Sequence, residues 1–240
     1  MIEQIAGYCR QLKWGNSIVE NYQGIEAQSH EEFLLKLLEL ELLNRELTRK
    51  NRCLKQAGFD VMKTFQDYGF EQIAIPASIT LDQIKNASFI EKKENLILYG
   101  PVGTGKTHMA TAIGVAACNR GKKVKFYRTA ALVNDLIDAK TKGNLGKFLK
   151  QIEKADLLIC DEWGYIPLDR QGAQLLFQVV TGCYEKKSVI ITTNLEFGKW
   201  NGIFFDEKLT SAIIDRLVHY SHLLIFSGKS YRLEHSKIKQ

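Results

Sequence analysis

The run Gly100-Pro101-Val102-Gly103-Thr104-Gly105-Lys106-Thr107 constrains this chain more than any other feature. It fits G-x-x-x-x-G-K-[ST] completely, and it stands between a continuous apolar run, Asn95–Tyr99, and a helix-forming stretch, 106–119. The spacing has a chemical reason. Glycines let the backbone curl so that successive N–H groups turn inward at phosphate oxygens. The helix that follows adds the positive end of its dipole. Lys106 brings one ammonium to the β- and γ-phosphates, and Thr107 brings a hydroxyl to Mg²⁺. A plain glycine-rich turn would leave the Lys-Thr pair without a purpose.

Around this loop, apolar runs alternate with helical periodicity. Strands are expected at 95–99, 124–127, 157–160, 189–192 and 223–226, and helices at 106–119, 132–139, 145–153, 171–184 and near 207–220. Such alternation predicts a five-stranded parallel sheet between helices, an α/β architecture. The third strand ends in Asp161-Glu162. Beside a phosphate loop, Asp161 is the candidate to hold Mg²⁺ and Glu162 the candidate to orient or deprotonate the attacking water. Alone, the two acids would read as a cap or a solvated turn. The fourth strand ends in Thr192-Thr193-Asn194, where a polar side chain can reach the γ-phosphate and where Asn is also a common turn residue.

The first 65 residues read as a separate helical domain, with 66–240 forming the larger one. Ser29 and Glu32 have capping-box spacing, Gly58 is a stop, and 30–57 predicts one helix of about 40 Å. Its first half is leucine-rich and acidic; its second half carries Arg45, Arg49, Lys50, Arg52 and Lys55. The net charge of +6 is modest, but residues 120–154 hold ten basic and three acidic side chains, a local +7 that leaves −1 for the remainder. Concentrated positive charge suits either a polyanion partner, with Lys122, Lys123, Lys140, Lys142, Lys147 and Lys150 as the candidate contacts, or a solvated lysine-rich surface. With 45% hydrophobic residues, the chain is not expected to be disordered. No apolar run is long enough to span a membrane and the start has no leader pattern. The five cysteines form no C-x-x-C pair, which suggests a reducing, cytoplasmic setting.

Taken together, GPVGTGKTH, DEWGYIPLD, TTN, AIIDRL, the closing GKSYR and the N-terminal LLNRELTRKNRCLKQAGFD resemble the IstB-like ATP-binding proteins. These are helper ATPases of bacterial insertion sequences within the AAA+ class, similar to replicative helicase loaders. The resemblance implies an AAA+ P-loop NTPase fold without a C-terminal helical lid, since few residues follow the fifth strand. ATP would be held by Gly100 through His108 with Mg²⁺ on Thr107 and Asp161. Asn194 corresponds to the first sensor. Arg216 corresponds to an arginine finger that completes a neighbouring subunit's site, and Arg232 to a second sensor. Segment 129–153 corresponds to where initiator-type members insert a helix. Val102, Cys160 and Trp163 depart from the residues commonest in the family. The implied function is an ATP-dependent homo-oligomer with nucleotide at subunit interfaces. It would assemble on duplex DNA and recruit or activate a transposase through the N-terminal region or the ATPase surface. A helicase loader shares every ATPase element; an ATP-gated scaffold with incidental hydrolysis is the reading of a different class.

Overall fold

The computed structural model describes residues 1–204, 206–234 and 236. The apolar runs form strands β1 (Ile73–Ala74), β2 (Asn95–Tyr99), β3 (Val124–Arg128), β4 (Leu157–Asp161), β5 (Ser188–Thr193) and β6 (Ser221–Phe226) in one sheet. Its order is β1-β6-β2-β5-β4-β3. The five longer strands run parallel and β1 joins β6 antiparallel. The expected five strands are therefore six. β1 is two residues long and half-exposed, too short for any period-2 pattern to mark it. Every residue of β4 and β5 is buried, as expected of strands covered on both faces.

Helices α1 (Ile2–Gln11), α2 (Asn16–Asn21) and α3 (His30–Ala57) precede the sheet. Then come α4 (Leu81–Lys85), α5 (Lys106–Asn119), α6 (Thr129–Thr141), α7 (Leu145–Glu153), α8 (Arg170–Cys183), α9 (Asn201–Phe204), α10 (Glu207–Val218) and α11 (Tyr231–Glu234). Alternation along each strand sorts the core into two layers. Leu96, Leu98, Leu157, Ile159, Ile190 and Leu224 pack against Met109, Ala110 and Ile113 of α5. Leu158, Cys160, Val189 and Ile191 face the opposite way, onto Leu136 of α6, Leu176 of α8 and Ile213 of α10. α11 is a single turn. All five cysteines are free and buried. Among the described residues no helix is long and apolar enough to cross a membrane.

The chain divides into two compact units, Met1–Arg52 and Cys53–Gln240. The division falls inside α3, where Cys53 and Ala57 join the same core layer as α5. The helix starts where its capping signal lies. Ser29 Oγ accepts from the Glu32 amide at 3.1 Å, while the Glu32 carboxylate accepts from the Gln28 amide at 2.7 Å, one residue before the position a capping box uses. Gly58 ends the helix with φ +79°.

Candidate nucleotide site

Register decides what meets at the sheet's carboxyl edge. β2 pairs with β5 so that Tyr99 stands beside Thr193, and β4 pairs with β5 so that Cys160 stands beside Ile191. The phosphate loop, Asp161 and Asn194 therefore leave three adjacent strand ends. The Gly100 amide donates to the Thr193 carbonyl at 3.2 Å. Lys106 is 7% exposed and its Nζ donates to the carbonyls of Gly100 at 2.7 Å and Pro101 at 2.5 Å. Burial pushes its pKa down to about 8; the Asp161 carboxylate opposes that shift and the Arg232 guanidinium adds to it. The Thr104 hydroxyl donates to the Pro101 carbonyl at 2.8 Å.

Two of the loop's glycines are enforced by neighbours as well as by φ. Gly103 (φ +82°) has no room for a Cβ because Ser230 lies against it, and the Tyr231 amide donates to its carbonyl at 3.0 Å. Gly105 (φ +93°) lies under the Tyr68 ring, whose hydroxyl donates to its carbonyl at 3.1 Å. Tyr68 also contacts the ring of His108 at 4.8 Å, and His108 Nε2 bonds the Thr64 carbonyl at 2.7 Å. A carbonyl only accepts, so that nitrogen carries the proton. Segments from both ends of the larger unit thus close on the loop. Tyr68 gave no sequence signal, being one aromatic in a connector without periodicity.

Strand alternation also explains the acidic side. Asp161 has the parity of Leu157 and Ile159, so its side chain turns to the α5 face and is 2% exposed. There the Thr107 hydroxyl donates to its two carboxylate oxygens at 2.9 and 3.1 Å. Thr192 has the parity of Ile190 and turns to the same face, where its hydroxyl donates to Asp161 Oδ1. The same Thr192 Oγ1 accepts from the Glu162 amide at 3.0 Å. The Thr129 hydroxyl donates to the Asp161 carbonyl at 2.8 Å. Glu162 adopts φ +57°, a left-handed conformation that costs a non-glycine residue about 1–2 kcal/mol. The Thr192 hydrogen bond and the Trp163 amide bonded to the Thr192 carbonyl (2.8 Å) hold it there. Asn194 Oδ1 is buried without a hydrogen-bond partner among the described residues. Thr129 and Thr192 were missed as site residues, because the order of residues in one strand does not reveal which neighbour its hydroxyl will meet.

The other expected residues are distributed as follows. Arg216 on α10 lies over the Phe177 ring of α8 at 5.2 Å, and its Nη1 donates to the Ala212 carbonyl at 2.8 Å. Ile213 and Leu217 anchor α10 in the layer away from α5, and among the described residues Arg216 forms no ion pair. Arg232 follows the Gly103–Tyr231 contact and is exposed, close enough for its charge to act on Lys106. Lys140, Lys142, Lys147 and Lys150 are exposed at the end of α6 and on α7, which turns Phe148, Leu149 and Ile152 inward. Lys142 pairs with Asp138 at 2.9 Å. Lys122 and Lys123 precede the edge strand β3, with Lys122 half-buried. Within the same basic segment Arg120 and Arg128 are paired with Glu91 and Asp60. Trp163 is fully buried against Trp200 and Phe204, so this departure fills the second core layer.

The donors fit Mg²⁺. Thr107 and Asp161 are hard oxygen ligands already in contact, and Mg²⁺ is commonly held by one or two such side chains together with substrate phosphates. Among the described residues no group of three or more His, Cys, Asp or Glu side chains forms a metal cage.

Residues 19–239 match the family described as IstB-like ATP-binding protein. An insertion sequence IS5376 protein of Geobacillus stearothermophilus, named for ATP binding, is 35% identical over 247 residues, covering 100% of this chain and 98% of that one. A protein of the same naming from insertion sequence IS232 of Bacillus thuringiensis subsp. berliner is 39% identical over 204 residues, covering 85% and 81%. In three dimensions the DnaC helicase loader superposes with a TM-score of 0.51 at 24% identity, over 63% of this chain and 92% of that one, a likeness of fold. The loop, the strand-end acids and a six-stranded sheet of the AAA+ P-loop type agree with that match, and the chain belongs to the family of IstB-like ATP-binding proteins.

Proposed function

We propose that this protein binds ATP with Mg²⁺ at the phosphate loop, hydrolyses it at interfaces between copies of itself, assembles on duplex DNA and there recruits or activates a transposase. The observation that carries the reading is the single contact group joining Thr107, Asp161, Thr192 and Glu162 beside Lys106. Lys106 exchanges its carbonyl partners for the β- and γ-phosphate oxygens. Thr107 and Asp161 would hold Mg²⁺, which would supply charge neutralisation to the phosphates. Glu162 accepts the proton of the attacking water, and Asn194 Oδ1, an acceptor without a partner, orients that water. Arg216, seated on the Phe177 ring of α8, supplies positive charge to the neighbour's γ-phosphate, so turnover requires assembly. Arg232 adds a second positive charge beside Lys106. Relatives named for insertion sequences support the transposase as partner over a helicase.

Glu162→Gln is the test. ATP binding should persist while turnover falls by about 10²–10⁴-fold. DNA-bound assemblies should then accumulate with ATP, and transposition should stall. Unchanged turnover and unchanged target selection in this variant would reject the enzymatic reading and leave a nucleotide-gated scaffold.

Thr192 is proposed as the residue that positions both acids. Thr192→Val removes a hydroxyl bonded to Asp161 and to the Glu162 amide with little change of shape. Hydrogen bonds to charged groups contribute about 1.5–3 kcal/mol, so kcat should fall roughly ten- to a hundredfold with little change in KM. Thr192→Ser should retain most of the activity. Equal activity of the Val and wild-type proteins would show that the clamp does not matter.

The exposed lysines of α6 and α7 are proposed to hold DNA phosphates without sequence preference. Replacing Lys140, Lys142, Lys147 and Lys150 with alanine should weaken duplex binding and lower the slope of log K against log salt by about 3 to 4, as four lost phosphate contacts require. An unaltered slope would assign the DNA surface elsewhere.

A further inference from the structure

Helices α7 and α8 leave an open groove of about 330 Å³ that the nucleotide reading does not use. Its floor is apolar: Leu149 and Ile152 come from α7, Phe177 and Val179 from α8. Two further lining residues lack a full complement of contacts within the chain. Gly182 lies inside α8, where glycine destabilises a helix relative to alanine. Its φ is not in the left-handed region, and a Cβ there would meet nothing within 4 Å, so no packing of the chain itself requires the glycine. Lys187 follows α8 and is 5% exposed. Its Nζ donates to the Ile152 carbonyl at 2.7 Å, the one hydrogen bond it makes among the described residues, where it also forms no ion pair. An ammonium has three donors, and burying its charge is costly when the partner is a single neutral carbonyl. Burial accordingly pushes the Lys187 pKa below the usual lysine value, with Cys183, Glu153 and Asp156 opposing from farther off.

These features set three demands on an occupant. It needs an apolar side chain for the floor. It needs an anion for Lys187, with Lys186 adding positive charge at the rim. It needs a main chain that can come close to α8 at Gly182. A DNA backbone meets the second demand and leaves the floor uncovered. A small free anion gives Gly182 no purpose. An acidic peptide meets all three, because main chain, apolar anchor and carboxylate come together in one segment. We propose that this groove docks an acidic segment of the transposase, with a large apolar side chain on Leu149 and Phe177 and a neighbouring Asp or Glu on Lys187. The site rests on the transposase reading and deepens it. Glu153 also lines the groove and repels a run of carboxylates, so the segment carries a placed acid rather than an acidic tract. The groove uses no residue of the phosphate loop and none of the lysines at 140, 142, 147 and 150. Phe177 carries Arg216 on its ring, so the docked segment lies beside the residue that acts on the neighbouring copy.

Surface plasmon resonance of the full chain, with ATP and Mg²⁺, over immobilised full-length transposase tests this. The wild-type protein should bind. Lys187→Met keeps the bulk and removes the charge, and should weaken binding about ten- to a hundredfold. Gly182→Leu, which helix propensity favours, fills the groove and should weaken binding at least as much. ATP affinity and duplex affinity should be unchanged in both variants. Overlapping peptides of about 15 residues spanning the transposase then locate the segment. Those that bind should pair an Asp or Glu with a large apolar residue, compete with the whole transposase, and weaken when the acid is changed to its amide. Against Lys187→Met that last change should have no effect, the signature of a direct pair. Binding of the transposase by both variants as tightly as by the wild-type protein would overturn the groove and leave the transposase reading standing. Failure of the wild-type protein to bind transposase at all would overturn both. If Gly182→Leu binds transposase normally but loses duplex affinity or ATP-dependent assembly, the groove belongs to DNA or to a neighbouring copy and the proposal is overturned.

Discussion

Arg216→Ala is expected to leave ATP bound while turnover falls by about 10³-fold or more, the range over which a finger supplied in trans acts. Arg216 is seated on Phe177 and the Ala212 carbonyl, on a helix whose Ile213 and Leu217 pack in the layer opposite α5. A guanidinium held there cannot be replaced by lysine, which lacks the planar fork and stacks poorly on an aromatic ring. Mixing provides the control. In an equal mixture of Arg216→Ala and Glu162→Gln, about a quarter of head-to-tail interfaces combine an intact arginine with an intact glutamate, and turnover should recover in proportion. Normal turnover of Arg216→Ala alone, or no recovery on mixing, would remove the residue from the neighbour's site.

Lys106→Ala is expected to weaken nucleotide binding a hundredfold or more, about 3 kcal/mol. The effect has two sources. The phosphates lose a charge-assisted partner. The loop loses the Nζ bonds to the Gly100 and Pro101 carbonyls that hold its curl. Arginine cannot substitute, because the site is 7% exposed and shaped around a compact ammonium. Calorimetric titration with ATP and with ADP should show the loss for both, since the ammonium reaches the β-phosphate as well as the γ-phosphate. Tight ATP binding by the alanine variant would contradict the placement of the nucleotide at this loop.

Much of the site was legible because its signals are local. The phosphate loop is eight consecutive residues whose spacing has one physical use. Asp161 and Glu162 stand out as candidates because a buried strand ends where apolar residues stop. The limits of α3 followed from Ser29 and Gly58, each acting within a turn of its own position. The short strand β1 was not legible, since two residues cannot show a period.

What the order of residues determined alone is the set of chemical groups: the curled loop with its ammonium, the strand-end carboxylates, and the helix bearing leucines between opposite charges. What only the tertiary structure decided is their company. Thr192 lies on Asp161 and under the Glu162 amide because β5 pairs with β4 in one register, and a shift of one residue would turn that hydroxyl to the other face of the sheet. Tyr68 lies on Gly105 and Ser230 on Gly103 because the chain returns to the loop from both directions. Such contacts join residues far apart in the chain, and a single sequence carries no periodic trace of them.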